Sequence, residues 1–237
     1  MRFKYKKLII IFTLAIMFIG MGTFSMIAPN VEVSLGKGKK TADTATGSAL
    51  AAKSDSEIEE DINMLMKNYF DAKQQVDMKE LSECVSDVSH IEEKRLVAEA
   101  NYIEEYKNME CTIRNDGLKE GAYRVYVYYE AKVYDIDTLV PSLTALYITA
   151  DRNGKFKINL SAIDSEEKQA IEQLDNKPEI KKMISSVQKK LEDLVSKNKE
   201  VREFYQMLEN SEDGEEDKDN TSEEGDTQPT AAPSAKE

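Results

Sequence analysis

The chain has 237 residues, a formal net charge of −13 and a sequence pI near 4.8, with two cysteines, one histidine and no tryptophan. An acidic surface repels phosphates, so the charge argues against a nucleic-acid role. Much of the excess lies near the C-terminus, where Glu209 to Asp226 holds ten acidic residues against only Lys218, so the charge names no partner.

At the N-terminus Arg2, Lys4, Lys6 and Lys7 precede an uncharged apolar run from Leu8 to Ala28. Roughly 20 apolar residues in a helix cross a bilayer. Residues 1–28 therefore read as a cytoplasmic basic end and a single transmembrane anchor. The basic cluster puts that end inside and the bulk of the chain outside. Lys37, Lys39 and Lys40 on the other flank soften the charge asymmetry. An uncleaved anchor is expected because Met26 and Ile27 suit a signal-peptidase site poorly. Cleavage and secretion is the alternative. No cysteine follows the run closely, which excludes a lipoprotein anchor.

Residues 29–55 are rich in Gly, Lys, Thr, Ala and Ser without apolar periodicity, and read as a flexible linker. A first helix is expected from Ser56, with Ser56 and Glu59 at capping-box spacing and Ile58, Ile62, Leu65, Tyr69 and Phe70 on one face. Asp77 and Glu80 start a short helix carrying Leu81, Cys84 and Val85. Ser89 and Glu92 start a third, with Ile91, Leu96, Val97, Ala100 and Ile103.

The period then shortens to two, predicting strands over Tyr106 to Ile113, Ala122 to Asp135, Leu143 to Ala150 and Phe156 to Leu160. Asp116-Gly117 and Asn153-Gly154 mark turns. In the second strand Tyr123, Val125, Val127, Tyr129, Ala131 and Val133 form a core row. Arg124, Tyr126, Tyr128, Glu130, Lys132 and Tyr134 form a half-wet one. Helices before an antiparallel meander of about four strands give an α+β fold, with the first helix covering the apolar face.

The chain becomes helical again from Ser165 and breaks near Pro178. Ile180, Ile184, Val187, Leu191, Leu194, Val201, Tyr205 and Leu208 then follow alternating four and three spacing, with Asn198 in the remaining seam position. This heptad seam either folds back onto the domain or serves a partner helix or a second copy. Residues 165–210 form this helical segment. Residues 211–237 are acidic, lack aromatics and read as a disordered tail.

Tyr69-Phe70-Asp71-Ala72-Lys73, followed by Asp77-Met78-Lys79-Glu80-Leu81 before a helix and an antiparallel sheet, resembles the nuclear-transport-factor-2-like superfamily. Two further stretches, Tyr102 to Asn108 and Gly121 to Glu130, look similar to membrane-anchored or secreted proteins of anaerobic Firmicutes. The resemblance covers about Ser56 to Leu160, and the domain it implies is residues 56–164. It implies a cone, three helices packed into a curved sheet around a pocket. It implies no chemistry, since that superfamily holds enzymes, secretion-channel subunits and inert binding modules.

The candidate sites are few. His90 is the sole histidine and begins a predicted helix, where a solvated polar residue is ordinary. Asp135 and Asp137 could hold a cation, but one carboxylate pair at a strand end is too few ligands for calcium. Tyr126, Tyr128 and Tyr134 are the candidate pocket lining if the cone binds a ligand. Cys84 and Cys111 are expected as thiols, with a disulfide as the alternative that an extracytoplasmic site permits. The sequence shows no phosphate loop, metal cluster or cofactor motif. The reading it supports is a membrane-anchored non-enzymatic binding or scaffold module. A subunit of a secretion or conjugation assembly and a small-molecule pocket enzyme are the alternatives.

Overall fold

The computed structural model describes residues 53–212, with side chains to Leu208. The expected anchor and most of the linker and acidic tail lie outside the described residues. Among the described residues no helix is long and apolar enough to cross a membrane.

Helix α1 spans Asp55–Gln75, and its capping box is Ser54 with Glu57, two residues earlier than expected. Both pairs have the right spacing. The earlier start also brings Asp55 into the first turn beside Glu57, where carboxylates complement the helix dipole. Asp77 caps α2, Met78–Cys84, by accepting from the backbone N–H groups of Lys79 and Glu80.

The third helix departs from expectation. Asp87 takes both the N–H and the hydroxyl of Ser89, so Ser89 sits in a 3-10 turn, Val88–His90, instead of capping a helix. The helix itself, α3, is Glu93–Ala100, and Ile103 belongs to the next strand.

Strands β1, Ile103–Arg114, β2, Ala122–Val133, β3, Val140–Ala150, and β4, Phe156–Ile158, form one antiparallel sheet in chain order. β2 ends at Val133, two residues before its expected end at Asp135, which has a left-handed backbone (φ 61°). At the β3–β4 turn Asp151 accepts from the N–H groups of Asn153 and Lys155, and Gly154 supplies the positive φ of 75°.

Helix α4, Ser165–Asp175, is capped by Asp164, and α5, Pro178–Lys197, starts at the expected proline. The single helix expected from Ile180 to Leu208 is two helices. Asn198 is extended (φ −101°, ψ 121°) and separates α5 from α6, Lys199–Glu212. Its amide donates to the Thr138 hydroxyl at 2.8 Å, while its side-chain oxygen accepts the N–H of Val201 at 3.1 Å. Asn198 is thus a joint between helices rather than a polar position inside a straight coiled-coil seam.

The fold is consequently α+β with helices on both faces of the sheet. The inward row of β2, from Tyr123 to Val133, is buried with Ile62, Met66 and Phe70 of α1 as expected. The opposite row is drier than expected at its start: Arg124 and Tyr126 are both buried. Tyr126 packs with Leu143, Ala145 and the Ile180 and Val187 side chains of α5, so the trailing helices, not water, cover that face.

The heptad seam is used inside the molecule. Ile180, Val187, Leu191, Val201 and Tyr205 are buried; Ile184, Leu194 and Leu208 are half-buried. The first half of α5 packs on the outer face of the sheet, whereas Leu191, Val195, Val201 and Tyr205 join the cluster that contains α1. Each fully buried aliphatic side chain of this kind contributes about 1.5–3 kcal/mol of transfer free energy, which is what holds α5 and α6 down.

Candidate functional site

The inner face contains a buried polar group that no single element could build. Lys73 lies in the last turn of α1, Glu99 near the end of α3, Tyr106 on β1 and Tyr129 on β2. The Lys73 ammonium donates to Glu99 Oε1 at 2.7 Å, and the Tyr106 hydroxyl donates to the same oxygen at 2.8 Å. Phe70, Tyr106 and Tyr129 form a ring triangle with centroids 5.0, 5.1 and 5.3 Å apart. Lys73 Nζ lies 5.9 Å from the centre of the Phe70 ring and 5.6 Å from that of Tyr106, within cation–π range.

This environment sets the protonation states. Burial, the largest single influence, works against the Lys73 charge, but the Glu99 carboxylate and the oxygens of Tyr106, Tyr69 and Tyr129 together outweigh it and hold the ammonium well above the ordinary lysine value. Burial likewise pushes the Tyr106 and Tyr129 phenols up. A protonated lysine is no nucleophile and a neutral phenol is no base. The group is therefore an ion pair in an aromatic box, with Tyr205 of α6 in the same core cluster and close to Tyr129.

Sequence reasoning missed Lys73 and Glu99 as a pair, although the signal for Lys73 exists. Ile62, Met66, Tyr69 and Lys73 follow four, three, four spacing, so Lys73 continues the buried stripe of α1. A lysine in such a stripe needs a buried counter-charge.

The outer face has a second ion pair. The Arg124 guanidinium grips Asp175 at the end of α4 with two hydrogen bonds of 3.1 and 2.8 Å and donates to the Ala145 carbonyl at 3.4 Å. Tyr126 also donates to Asp175.

The three candidate tyrosines do not converge on a cavity. Tyr126 is buried beneath α5, with its phenol pushed up by burial and the Asp175 hydrogen bond. Tyr128 is half-buried, donates to Glu130 at 2.9 Å, and is pushed up to about 12, first by burial. Tyr134 is 48% exposed. Tyr126 and Tyr128 belong to the outer row of β2, on the opposite face from α1, and Tyr134 follows the end of that strand, so the three do not line the interior of a cone formed by the first three helices.

Two of the clefts among the described residues carry none of those tyrosines. One of about 350 Å³ lies between α1, α2 and the β3–β4 turn, bordered by the Lys53–Asp61 and Lys155–Glu83 ion pairs. The other, about 240 Å³, lies beside the β1–β2 loop.

The remaining candidates are placed as follows. The His90 Nδ1 lies 2.6 Å from the Leu160 carbonyl, which only accepts, so Nδ1–H donates and the ring ties the 3-10 turn to the segment after β4. Asp135 and Asp137 are exposed on either side of buried Ile136, and Asp137 lies 3.6 Å from Lys132. Among the described residues no group of three or more His, Cys, Asp or Glu is arranged to hold a metal ion. Cys84, buried on α2, and Cys111, half-buried on β1, are free thiols. Burial pushes the Cys84 thiol up and the Cys111 thiol to about 11, so neither is a thiolate at neutral pH.

Compared with known proteins, the chain matches no protein-family model, no curated protein and no solved structure.

Proposed function

We propose that the chain is a membrane-anchored extracytoplasmic module that binds or scaffolds rather than catalyses, its folded region following a nuclear-transport-factor-2-like plan. The observation that carries this reading is the filled inner face. Lys73, Glu99 and Tyr106 neutralise one another there, and Tyr205 of α6 occupies the same cluster, so the groups best suited to chemistry are committed to packing. The order helix, short helix, helix and antiparallel meander supports the fold comparison. The basic cluster before the uncharged Leu8 to Ala28 run supports the anchor.

Full-length protein expressed in a bacterial membrane should stay in the pellet at alkaline carbonate pH and be degraded by protease added outside intact spheroplasts. Release into the carbonate supernatant would remove the anchor; resistance to external protease would invert the topology. Turnover by the purified full chain on any of a broad panel of ester, glycoside and isomerisable carbonyl substrates would overturn the non-catalytic reading.

A further inference from the structure

The two edges of the sheet are treated differently. At the β4 edge, Val85 bridges Ile158 and the Ser86 N–H donates to the Ile158 carbonyl at 2.8 Å, so the chain covers that edge itself. At the other edge β1 pairs with β2 alone among the described residues. An open strand edge is a template for another strand, and proteins blunt it with charges, bulges or proline.

Only the first half of β1 is blunted. Gln74 of α1 occupies the Glu104 carbonyl, both register irregularities lie before Glu110, and Asn108 has a left-handed backbone (φ 50°). The second half, from Glu110 to Arg114, pairs in unbroken register with β2, contains no proline, and has none of its residues fully buried.

The sequence of that half is self-complementary. Glu110, Thr112 and Arg114 stand opposite Tyr128, Tyr126 and Arg124, so they share the outer face; Cys111 and Ile113 share the inner one. An antiparallel copy related by a two-fold axis through Thr112 sets Thr112 against Thr112, Cys111 against Ile113, and each Glu110 against Arg114 of the other copy, whose guanidinium also bonds Asp116 at 2.8 Å and Glu179 at 3.3 Å in its own chain. Opposite charges and paired threonines directly across an antiparallel ladder are favourable, and like charges there are not.

We propose that a second copy of this chain docks on the β1 edge with this register, joining two four-stranded sheets into one of eight. The interface is of the small class, below about 1,200 Å², so the dimer is weak and reversible. An isologous contact of this kind closes on itself and does not propagate.

The test is disulfide trapping in the full-length protein in native membranes, in a Cys111→Ser background. T112C should give a disulfide-linked dimer on mild oxidation, several-fold more than S185C on the exposed face of α5. Adding Glu110→Arg should suppress the T112C dimer, and adding Arg114→Glu to that variant should restore it, a rescue that general damage to the fold does not produce. Equal trapping at the two positions, or trapping indifferent to E110R, overturns the proposal. So does a T112C protein that stays monomeric and resists maleimide, because another segment of the chain then covers the edge. In the wild-type protein, amide-exchange protection of residues 110–114 should rise with protein concentration; protection independent of concentration overturns the dimer without any substitution.

Discussion

On the face under α1 to α3 a lysine is buried against a glutamate, and on the face under α4 and α5 an arginine is buried against an aspartate. Lys73 makes one hydrogen bond to Glu99 and is otherwise surrounded by aromatic faces, whereas Arg124 makes a two-pronged grip on Asp175 and a third bond to a backbone carbonyl. A lysine is a compact charge that titrates, and an arginine is a rigid fork that does not. The inner pair thus depends on charge balance, with the Glu99 side chain keeping 20% of its exposure, and the outer pair on geometry, with the Asp175 side chain keeping 31%.

The largest effect should come from breaking the inner pair. Glu99→Gln leaves the Lys73 ammonium, 6% exposed, without its counter-charge. Chemical denaturation should show a loss of about 3–5 kcal/mol. A loss below about 1 kcal/mol would mean that the ammonium reaches water and the box is open.

Arg124→Met, measured the same way, should cost about 2 kcal/mol, because the abandoned Asp175 carboxylate is partly solvated. Equal losses at the two sites would erase the distinction between the two pairs.

The faces also predict a pH dependence. The folded-state values of Lys73, Tyr106 and Tyr129 all lie above their ordinary ones. The unfolded chain therefore releases these protons first as pH rises. Their contribution is complete below the unfolded values, near ~10 for tyrosine and ~10.4 for lysine, and is lost above them. The denaturation midpoint should be insensitive to these groups between pH 6 and 9, as an approximate window set by those same reference values, and should fall above about pH 10. A midpoint that rises there would contradict the buried, protonated cluster.

The smallest effect is expected at the joint. Asn198→Ala removes the cap of α6 and the bond to Thr138 and should cost about 1 kcal/mol, with faster amide exchange confined to the start of α6. Uniformly faster exchange across α5 and α6 would show that the two helices unfold as one.

Local signals carried much of the fold. Asp77, Pro178 and the Asn153-Gly154 turn act through neighbours a few residues away, and each stands where the sequence places it. Tyr126 shows the limit: alternation assigns it to the outer row correctly, yet its burial depends on α5, which begins more than fifty residues later. The seam from Ile180 to Leu208 shows it again, since the same heptad spacing suits a helix packed on its own sheet and one packed on a partner.

The sequence by itself determined the order of helices and strands and the in–out alternation along β2, because backbone geometry imposes periods of 3.6 and 2 on local patterning. The tertiary structure decided which surface each apolar row meets. It also paired Lys73 with Glu99 and Arg124 with Asp175, and bent the last helix at Asn198 through a bond to a residue 60 positions earlier. Those choices rest on contacts between segments far apart in the chain, and no local period encodes a distant partner.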